Sequence, residues 1–339
     1  MNLKHNISLQ PYNTFGIAVT AKHFISVATV DELLEVLQHY NHHNTFVLGG
    51  GSNILFTKDV NALVIHINTK GKQIVYEDEN SVHVKIAAGE NWHQCVLWAL
   101  EQGFGGIENL SLIPGNIGAA PIQNIGAYGV ELKDVFVACE AIAVATNQLK
   151  QFTYDDCKFG YRNSVFKQEA KGKYIITSVT LQLTKKEHRL NTAYGSIQQL
   201  LQSKGLNDPN IKDISDAVIE IRKSKLPDPA EIGNSGSFFK NPVIPVTHFK
   251  KLQQEYPQIP SYPVPGQSEQ LKVPAGWLIE KCGFKGKRMG ETGVHEKQAL
   301  VLVNHGNAKG SDVQQLAETI RTTVKTTFGI VLEAEVNML

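Results

Sequence analysis

The chain predicts an α+β protein, on two observations. Segments of helical and of strand periodicity follow one another without the regular alternation that builds a parallel, doubly wound sheet. No stretch repeats another, and 339 residues are enough to bury a large core in two or three domains. At 42% hydrophobic and 19% charged, the composition is that of a globular protein. A net charge of +1 gives no reason to expect nucleic acid or an anionic membrane as partner. Residues 1–10 are polar and lack the apolar heart of a signal peptide, and no apolar run approaches membrane-spanning length. A cytoplasmic location is therefore expected. Cys95, Cys139, Cys157 and Cys282 are scattered without a CxxC pair, which points to reduced, buried thiols rather than a zinc or dithiol site. His39, His42 and His43 cluster, and a solvated loop accounts for them better than a metal.

The elements follow in order. Residues 31–40 have helical spacing, with Thr29 and Glu32 as a capping box. Residues 45–48 read as a short buried strand, followed by strands at 63–67 and 83–87. Asn91 caps a helix that Gly103 ends. Residues 105–130, rich in Gly, Asn and Pro, read as an extended binding loop. Strands return at 135–144 and 174–183, and a helix at 215–223 leads to the two prolines, Pro227 and Pro229, of a domain boundary. Residues 256–265 are Pro-rich and unsuited to a core. A buried strand is expected at 299–304. A long helix follows, capped by Ser311 with Gln314 and ended by Gly329, and then a closing strand at 331–336.

Three segments carry chemistry. Gly49-Gly50-Gly51-Ser52-Asn53 follows a strand, and consecutive glycines let several backbone N–H groups point at one anion. Ile113-Pro114-Gly115-Asn116-Ile117-Gly118-Ala119-Ala120 offers a second such surface, and a diphosphate between the two would explain both. Taken singly, each is an ordinary Gly-rich turn. The third is Gly233-Asn234-Ser235-Gly236-Ser237-Phe238-Phe239-Lys240-Asn241-Pro242, which sets a single hydroxyl, Ser237, between a flexible pair of glycines and two bulky aromatics. The sequence has neither GxGxxG nor a Walker A pattern, so a dinucleotide would not be held by the Rossmann device.

These segments, with Tyr12-Asn13-Thr14-Phe15-Gly16, Tyr128-Gly129, Phe159-Gly160-Tyr161-Arg162, Lys225-Leu226-Pro227-Asp228-Pro229, Ala275-Gly276-Trp277-Leu278-Ile279 and Leu332-Glu333-Ala334-Glu335-Val336, run in one order from near residue 12 to the C-terminus. In that order they resemble the UDP-N-acetylenolpyruvoylglucosamine reductases, flavoenzymes that complete UDP-N-acetylmuramate for peptidoglycan. Tyr194 and the Pro-rich stretch after Pro242 resemble the larger subtype, whose tyrosine loop folds over the UDP-sugar.

The resemblance implies a vanillyl-alcohol-oxidase-like, PCMH-type two-subdomain FAD-binding fold plus a smaller α+β substrate-binding domain. The expected parts are residues 1–70 completed by 330–339, then 71–220, then 221–329. It implies FAD and NADPH as cofactors and a small-molecule substrate, UDP-N-acetylglucosamine enolpyruvate. FAD contacts are expected from Gly49, Gly50, Gly51, Ser52, Asn53, Pro114, Gly115, Ala119, Ala120, Gly126 and Arg222. Family members often carry Ser where Ala119 and Ala120 stand, so hydroxyl contacts there are lost while the backbone role stays. Substrate contacts are expected from Tyr128, Tyr161, Tyr194, Lys225, Asn241, Lys285 and Gln298.

Reducing an enol ether conjugated to a carboxylate needs a hydride, a proton and a cation facing the carboxylate. Reduced flavin supplies the first. Ser237 is the implied proton donor, Arg162 the implied cation, and Glu335 the implied polariser or relay. Two rivals remain at this point. Another FAD oxidase of the same fold would have no need for Ser237, Arg162 and Glu335 together, and a binding protein without catalysis would tolerate losing one of them.

Overall fold

The computed structural model describes residues 2–40 and 44–339, so His42 and His43 lie outside the described residues. The chain divides into two compact units: Met1–Ile7, Ala21–Gly50 and Val60–Ser224 form one, and Ser8–Thr20, Gly51–Asp59 and Lys225–Leu339 the other.

The first unit is built on two sheets. One has the strand order Lys4–Ser8, Thr20–Val27, Val60–Ile67, Thr45–Leu48, and its last three strands are parallel. Helix Val30–His39 covers it through Leu33, Val36 and Leu37, which pack on Ile25, Val27, Leu63, Ile65 and Ile67. Thr29 Oγ1 accepts the Glu32 N–H at 3.1 Å, as the capping box requires. The reciprocal arm differs: the Glu32 carboxylate takes the Ala28 N–H instead. Strand Thr45–Leu48 is less buried than expected, since only Leu48 is shut off from solvent.

The other sheet is antiparallel, in the order Leu149–Thr153, Phe136–Ala143, Tyr174–Thr184, Ser81–Ala87, Lys72–Glu77. Ser81–Ala87 alternates buried and half-buried residues, the pattern of a strand with one core face. Helix Trp92–Glu101 belongs to the same core, with Trp92, Cys95, Val96 and Ala99 clustered among Val82, Val84, Ile86 and Leu181. Asn91 caps it by accepting the Gln94 N–H, and Gly103 leaves it at φ +75°. Helices Gly195–Ser203 and Ile211–Lys225 form a third small core, against which Tyr128 packs.

The second unit holds a sheet in the order Gly233–Ser237, Val301–Asn304, Thr292–Val294, Arg288–Met289. Val301–Asn304 is buried at every residue, as a central strand should be. The stretch 256–265, read as unsuited to a core, gives one edge strand, Tyr262–Val264, to a three-stranded sheet with Gln267–Lys272 and Val243–Pro245, and its Ile259 is buried. Edge strands tolerate Pro263 because half their N–H groups need no partner.

Two boundaries need correction. The long helix is Gly310–Phe328, not one capped by Ser311: the Asp312 carboxylate accepts the Lys309 N–H, so the cap falls two residues earlier. It ends at Gly329 with φ +66°, as expected. Residues 331–336 form no continuous strand. They pair only through a bridge between Ala334 and Phe239 and flanking hydrogen bonds, and the strand proper is Asn337–Met338, parallel to Ile54–Leu55. The 105–130 segment is not an open loop either. It is folded into 3₁₀ turns and a small hairpin, with Glu108, Asn109, Leu110 and Ile117 buried. All four cysteines are free, three buried and Cys282 half-exposed. No helix among the described residues is long and apolar enough to cross a membrane.

Gly310 gives the packing of this unit a direct test. A Cβ there would stand 1.7 Å from the Phe56 carbonyl oxygen. Helix propensity alone favours Ala over Gly by about 1 kcal/mol. Gly310→Ala is nevertheless expected to destabilise by about 1–3 kcal/mol, the usual cost of overpacking. Urea denaturation measures it, and a variant as stable as the parent would contradict the packing described.

Candidate functional site

Four of the motifs read from the sequence meet in the second unit, joined by backbone hydrogen bonds between residues far apart in the chain. Gly51 O accepts the Thr14 N–H at 3.2 Å, and Thr14 O accepts the Asn234 N–H at 2.9 Å. Phe238 O accepts the Glu335 N–H at 2.8 Å, and Asn53 Nδ2 donates to Glu335 O at 3.3 Å. Asn53 O in turn accepts the Asn337 N–H at 3.1 Å. Glu335, Ser237 and the Gly51–Asn53 turn are thus held in one frame. Gly51 is required in it, since its φ is +60° and a Cβ would lie 1.9 Å from Tyr12 O. Asn13 fixes the turn carrying Thr14: its amide donates to Leu9 O and Ile17 O and its Oδ1 accepts the Ile17 N–H.

Ser237 is presented by a β-bulge. Asn234 pairs with Val303 and Ser237 with Val301, so one extra residue sits on this strand. Gly236 absorbs it at φ +68°. Strict alternation would put Ser235 and Ser237 on the same face. The bulge separates them, leaving Ser235 buried and Ser237 exposed. Phe238 and Phe239 are both fully buried, edge to face at 5.1 Å, and anchor the strand end.

The first unit holds a cluster of cations. Arg222, on helix Ile211–Lys225, has its Nε shut off from solvent without a hydrogen-bond partner. Burial pushes its pKa down and the nearby Arg162 does the same, while Tyr128 opposes them. Since a guanidinium stays protonated, this charge calls for an anion. Arg162 sits at the tip of a two-residue turn in which Gly160 and Asn163 exchange both N–H···O bonds, at 3.0 and 3.1 Å. Its φ is +53°, a left-handed conformation that bulky residues rarely adopt. Asn124 steadies this turn by donating to Gly160 O at 3.1 Å. Leu112 and Tyr128 are also left-handed, at φ +57° and +50°. Strain of about 1–3 kcal/mol per residue gathers at functional loops more than elsewhere.

The remaining expected residues fall as follows. A Cβ on Gly50 would meet Asn116 Oδ1 at 2.8 Å and Gly115 Cα at 3.0 Å, so the glycine run and the second loop touch backbone to backbone. The close backbone approach of the two loops, and in the same unit an Arg222 Nε without a hydrogen-bond partner, fit a cofactor that carries phosphates, as FAD does. Pro114 and Ala119 are exposed, and Gly126 lies against the Arg162 guanidinium. Ala120 is different: its side chain is in the core and its N–H is bonded to Ile117 O. Tyr161 and Tyr194 are exposed, and Tyr194 stands edge-on to Tyr128 with ring centres 5.3 Å apart. Burial raises the Tyr128 phenol pKa. In the second unit Lys225 is exposed, and Lys285 pairs with Glu280 at 3.1 Å. Asn241 Oδ1 accepts the Ala275 N–H at the start of helix Ala275–Lys281, and Gln298 Oε1 takes the Leu300 N–H. Among the described residues no cluster of His, Cys, Asp or Glu could hold a metal ion.

Sequence reasoning missed His93. Its Nδ1 accepts the Leu112 N–H at 3.0 Å and so holds the strained entry to the second loop, beside the bond from Trp92 Nε1 to Leu110 O. Nothing in the residue pattern marks a helix-surface histidine for that role.

Comparison with known proteins gives the family and the fold. Residues 228–339 match the C-terminal domain of UDP-N-acetylenolpyruvoylglucosamine reductase, and residues 21–151 match an FAD binding domain. The chain is 53% identical to the UDP-N-acetylenolpyruvoylglucosamine reductase of Flavobacterium johnsoniae, over 100% of both chains. It is 48% identical to that of Pseudomonas aeruginosa, over 100% of this chain and 99% of the relative. The solved reductase from Thermus caldophilus shares the fold, with a TM-score of 0.70 at 24% identity over 100% of this chain and 99% of that one.

His93 makes the loop sensitive to acid. Accepting the Leu112 N–H requires an unprotonated Nδ1, and burial, then Arg222 and Lys223, lower its pKa below 6.5. A depressed folded pKa gives a contribution fully present above 6.5 and lost as pH falls through the folded value. His93→Asn keeps a side-chain acceptor without the titration, so its melting temperature should fall less than the parent's between about pH 7 and pH 5. Parallel pH curves for the two proteins would remove His93 from this role.

Proposed function

The chain belongs to the UDP-N-acetylenolpyruvoylglucosamine reductase family, and we propose that it reduces the enolpyruvyl group of UDP-N-acetylglucosamine enolpyruvate to UDP-N-acetylmuramate, with NADPH as reductant. The observation that carries the reading is the exposed Ser237 hydroxyl on a bulged strand, hydrogen-bonded through Phe238 to the backbone of Glu335.

FAD, once bound and reduced, supplies the hydride. Gly49, Gly50, Gly51, Ser52, Asn53, Pro114, Gly115, Ala119, Gly126 and Arg222 would hold it, whereas Ala120 has its side chain in the core and both backbone groups bonded, to Ile117 and Ile125. Hydride addition to the enolpyruvyl double bond leaves negative charge next to the carboxylate. Arg162 stabilises that charge with a planar fork that matches a carboxylate, and its turn is fixed at both ends before substrate arrives. Ser237 gives the proton to the other carbon. A serine is a weak acid, so the assignment requires close placement, and the bulge with its buried Phe238–Phe239 anchor, which stiffens the strand that carries Ser237, supports it. Glu335 polarises the intermediate or passes a proton on. The substrate is a small anionic molecule, and Tyr128, Tyr161, Tyr194, Lys225, Asn241, Lys285 and Gln298 are its proposed contacts. Lys285 would exchange its exposed Glu280 partner for a phosphate at little cost, because surface ion pairs are weak. In this reading residues 1–70 with 330–339, and 71–220, serve the cofactor, and 221–329 serve the substrate.

Ser237→Ala separates two steps. Bleaching of bound flavin by NADPH needs no protein acid and should stay near the parent rate. Reoxidation by the enolpyruvyl substrate should slow by about 10²–10⁴-fold, the usual worth of a general acid. Anaerobic stopped-flow reads both, and equal slowing would make Ser237 a flavin-positioning residue instead.

Arg162→Lys keeps the charge and loses the fork. Steady-state turnover with the enolpyruvyl substrate should drop at least tenfold, roughly the value of one charged hydrogen bond. Unchanged turnover would leave Arg162 a structural residue.

A further inference from the structure

Arg162 sits on a turn whose own bonds do not fix where the turn points. The Gly160–Asn163 pair closes the loop on itself, so its orientation within the first unit must come from outside. One neighbouring segment grips the turn on both sides. Ser164 Oγ donates to Ile122 O at 2.7 Å, and Asn124 Nδ2 donates to Gly160 O at 3.1 Å.

Asn124 has no exposure to solvent in the hydrogen-bonded frame it builds. Its Nδ2 also donates to Glu131 Oε2 at 3.0 Å, and its Oδ1 accepts the Lys133 N–H at 3.0 Å. Its φ is +44°, a conformation that Asn tolerates better than bulkier residues do. A carboxylate of the same shape would have no N–H to give. Glu131 is the second group this amide holds. A Cβ on Gly126 would meet Glu131 Cγ at 2.9 Å and Arg162 Nη1 at 3.4 Å, so the two side chains share the space over that glycine. One buried amide thus fixes both the backbone of the arginine turn and an acid near its guanidinium. We propose that Asn124 is a positioning residue for Arg162, acting on the reduction of the enolpyruvyl group without touching it. The inference rests on the reading that Arg162 faces the substrate carboxylate. A planar fork matches a carboxylate over a narrow range of orientations, so a small rotation of the turn loses the match and leaves the charge in place.

Asn124→Gly keeps the left-handed backbone and deletes the amide. Asn124→Asp keeps the shape and the acceptor for Lys133, but offers no N–H to Gly160 O or Glu131. In the flavin-loaded protein, each should slow reoxidation by the enolpyruvyl substrate about tenfold to a hundredfold, the scale on which a misplacement of about 1 Å is felt. Bleaching by NADPH should stay near the parent rate. The same substitutions are then made together with Arg162→Lys, where the fork is already lost. There each should cost less than about threefold, because residues that act through one another are not additive. A role in folding alone predicts the same factor in both backgrounds. If the factors multiply unchanged, or if both variants reoxidise at the parent rate while Arg162→Lys is slow, the inference is overturned and the reading of Arg162 stands. If Arg162→Lys alone reoxidises at the parent rate, that reading fails and takes the inference with it. If neither Asn124 variant takes up FAD, Asn124 is a structural residue, which also overturns the inference.

Discussion

The second unit depends on a run of hydrogen bonds, between backbone groups except for the one donated by the Asn53 amide, that ties together Gly51, Thr14, Asn234, Phe238, Glu335 and Asn53. These residues come from four separate stretches of chain, and none could be set in place by its own neighbours. Backbone bonds suit that task because they fix position without specifying a side chain. The side chains of Ser237 and Glu335 take no part in these bonds, while Phe238 and Phe239 supply the buried weight that keeps the frame from slipping.

The first unit solves a different problem. It holds the Arg222 Nε away from water without a hydrogen-bond partner, and it keeps Leu112, Tyr128 and Arg162 in conformations their side chains disfavour. Both are costs that the surrounding structure must over-determine. Trp92 and His93 at the start of one helix, and Asn124 beside the Arg162 turn, provide the bonds that do so. A site prepared in this way needs little rearrangement when its anionic ligand arrives.

What could be read from the sequence was local. Thr29, Asn91, Gly103 and Gly329 mark helix ends through chemistry confined to a few residues, and each stands where that chemistry places it. The ordered motifs led to the family because each retains its residue types. What escaped was set by distant partners. Residues 105–130 have the composition of a loop, yet tertiary bonds such as that from Trp92 to Leu110 fold them into a compact body. Residues 331–336 have the alternation of a strand, yet only Ala334 finds a bridging partner. The separation of Ser235 from Ser237 depends on one extra residue, which no propensity records. The membership of the glycine run in both units, with Gly50 in one and Gly51 in the other, has no signature in the residues either.

That division has a consequence for how the polypeptide acquires its shape. Ser8–Thr20 and Gly51–Asp59 emerge early from the ribosome, but their unit is otherwise made of residues from Lys225 onward. The first unit can assemble while these two segments wait. Phe15 and Phe56, with no exposure in the finished protein, are meanwhile uncovered. Closing loops of this length is slow, and apolar surface left open during the delay invites association with other chains. The arrangement that joins distant motifs into one frame thus carries a kinetic liability during synthesis, borne by the N-terminal segments.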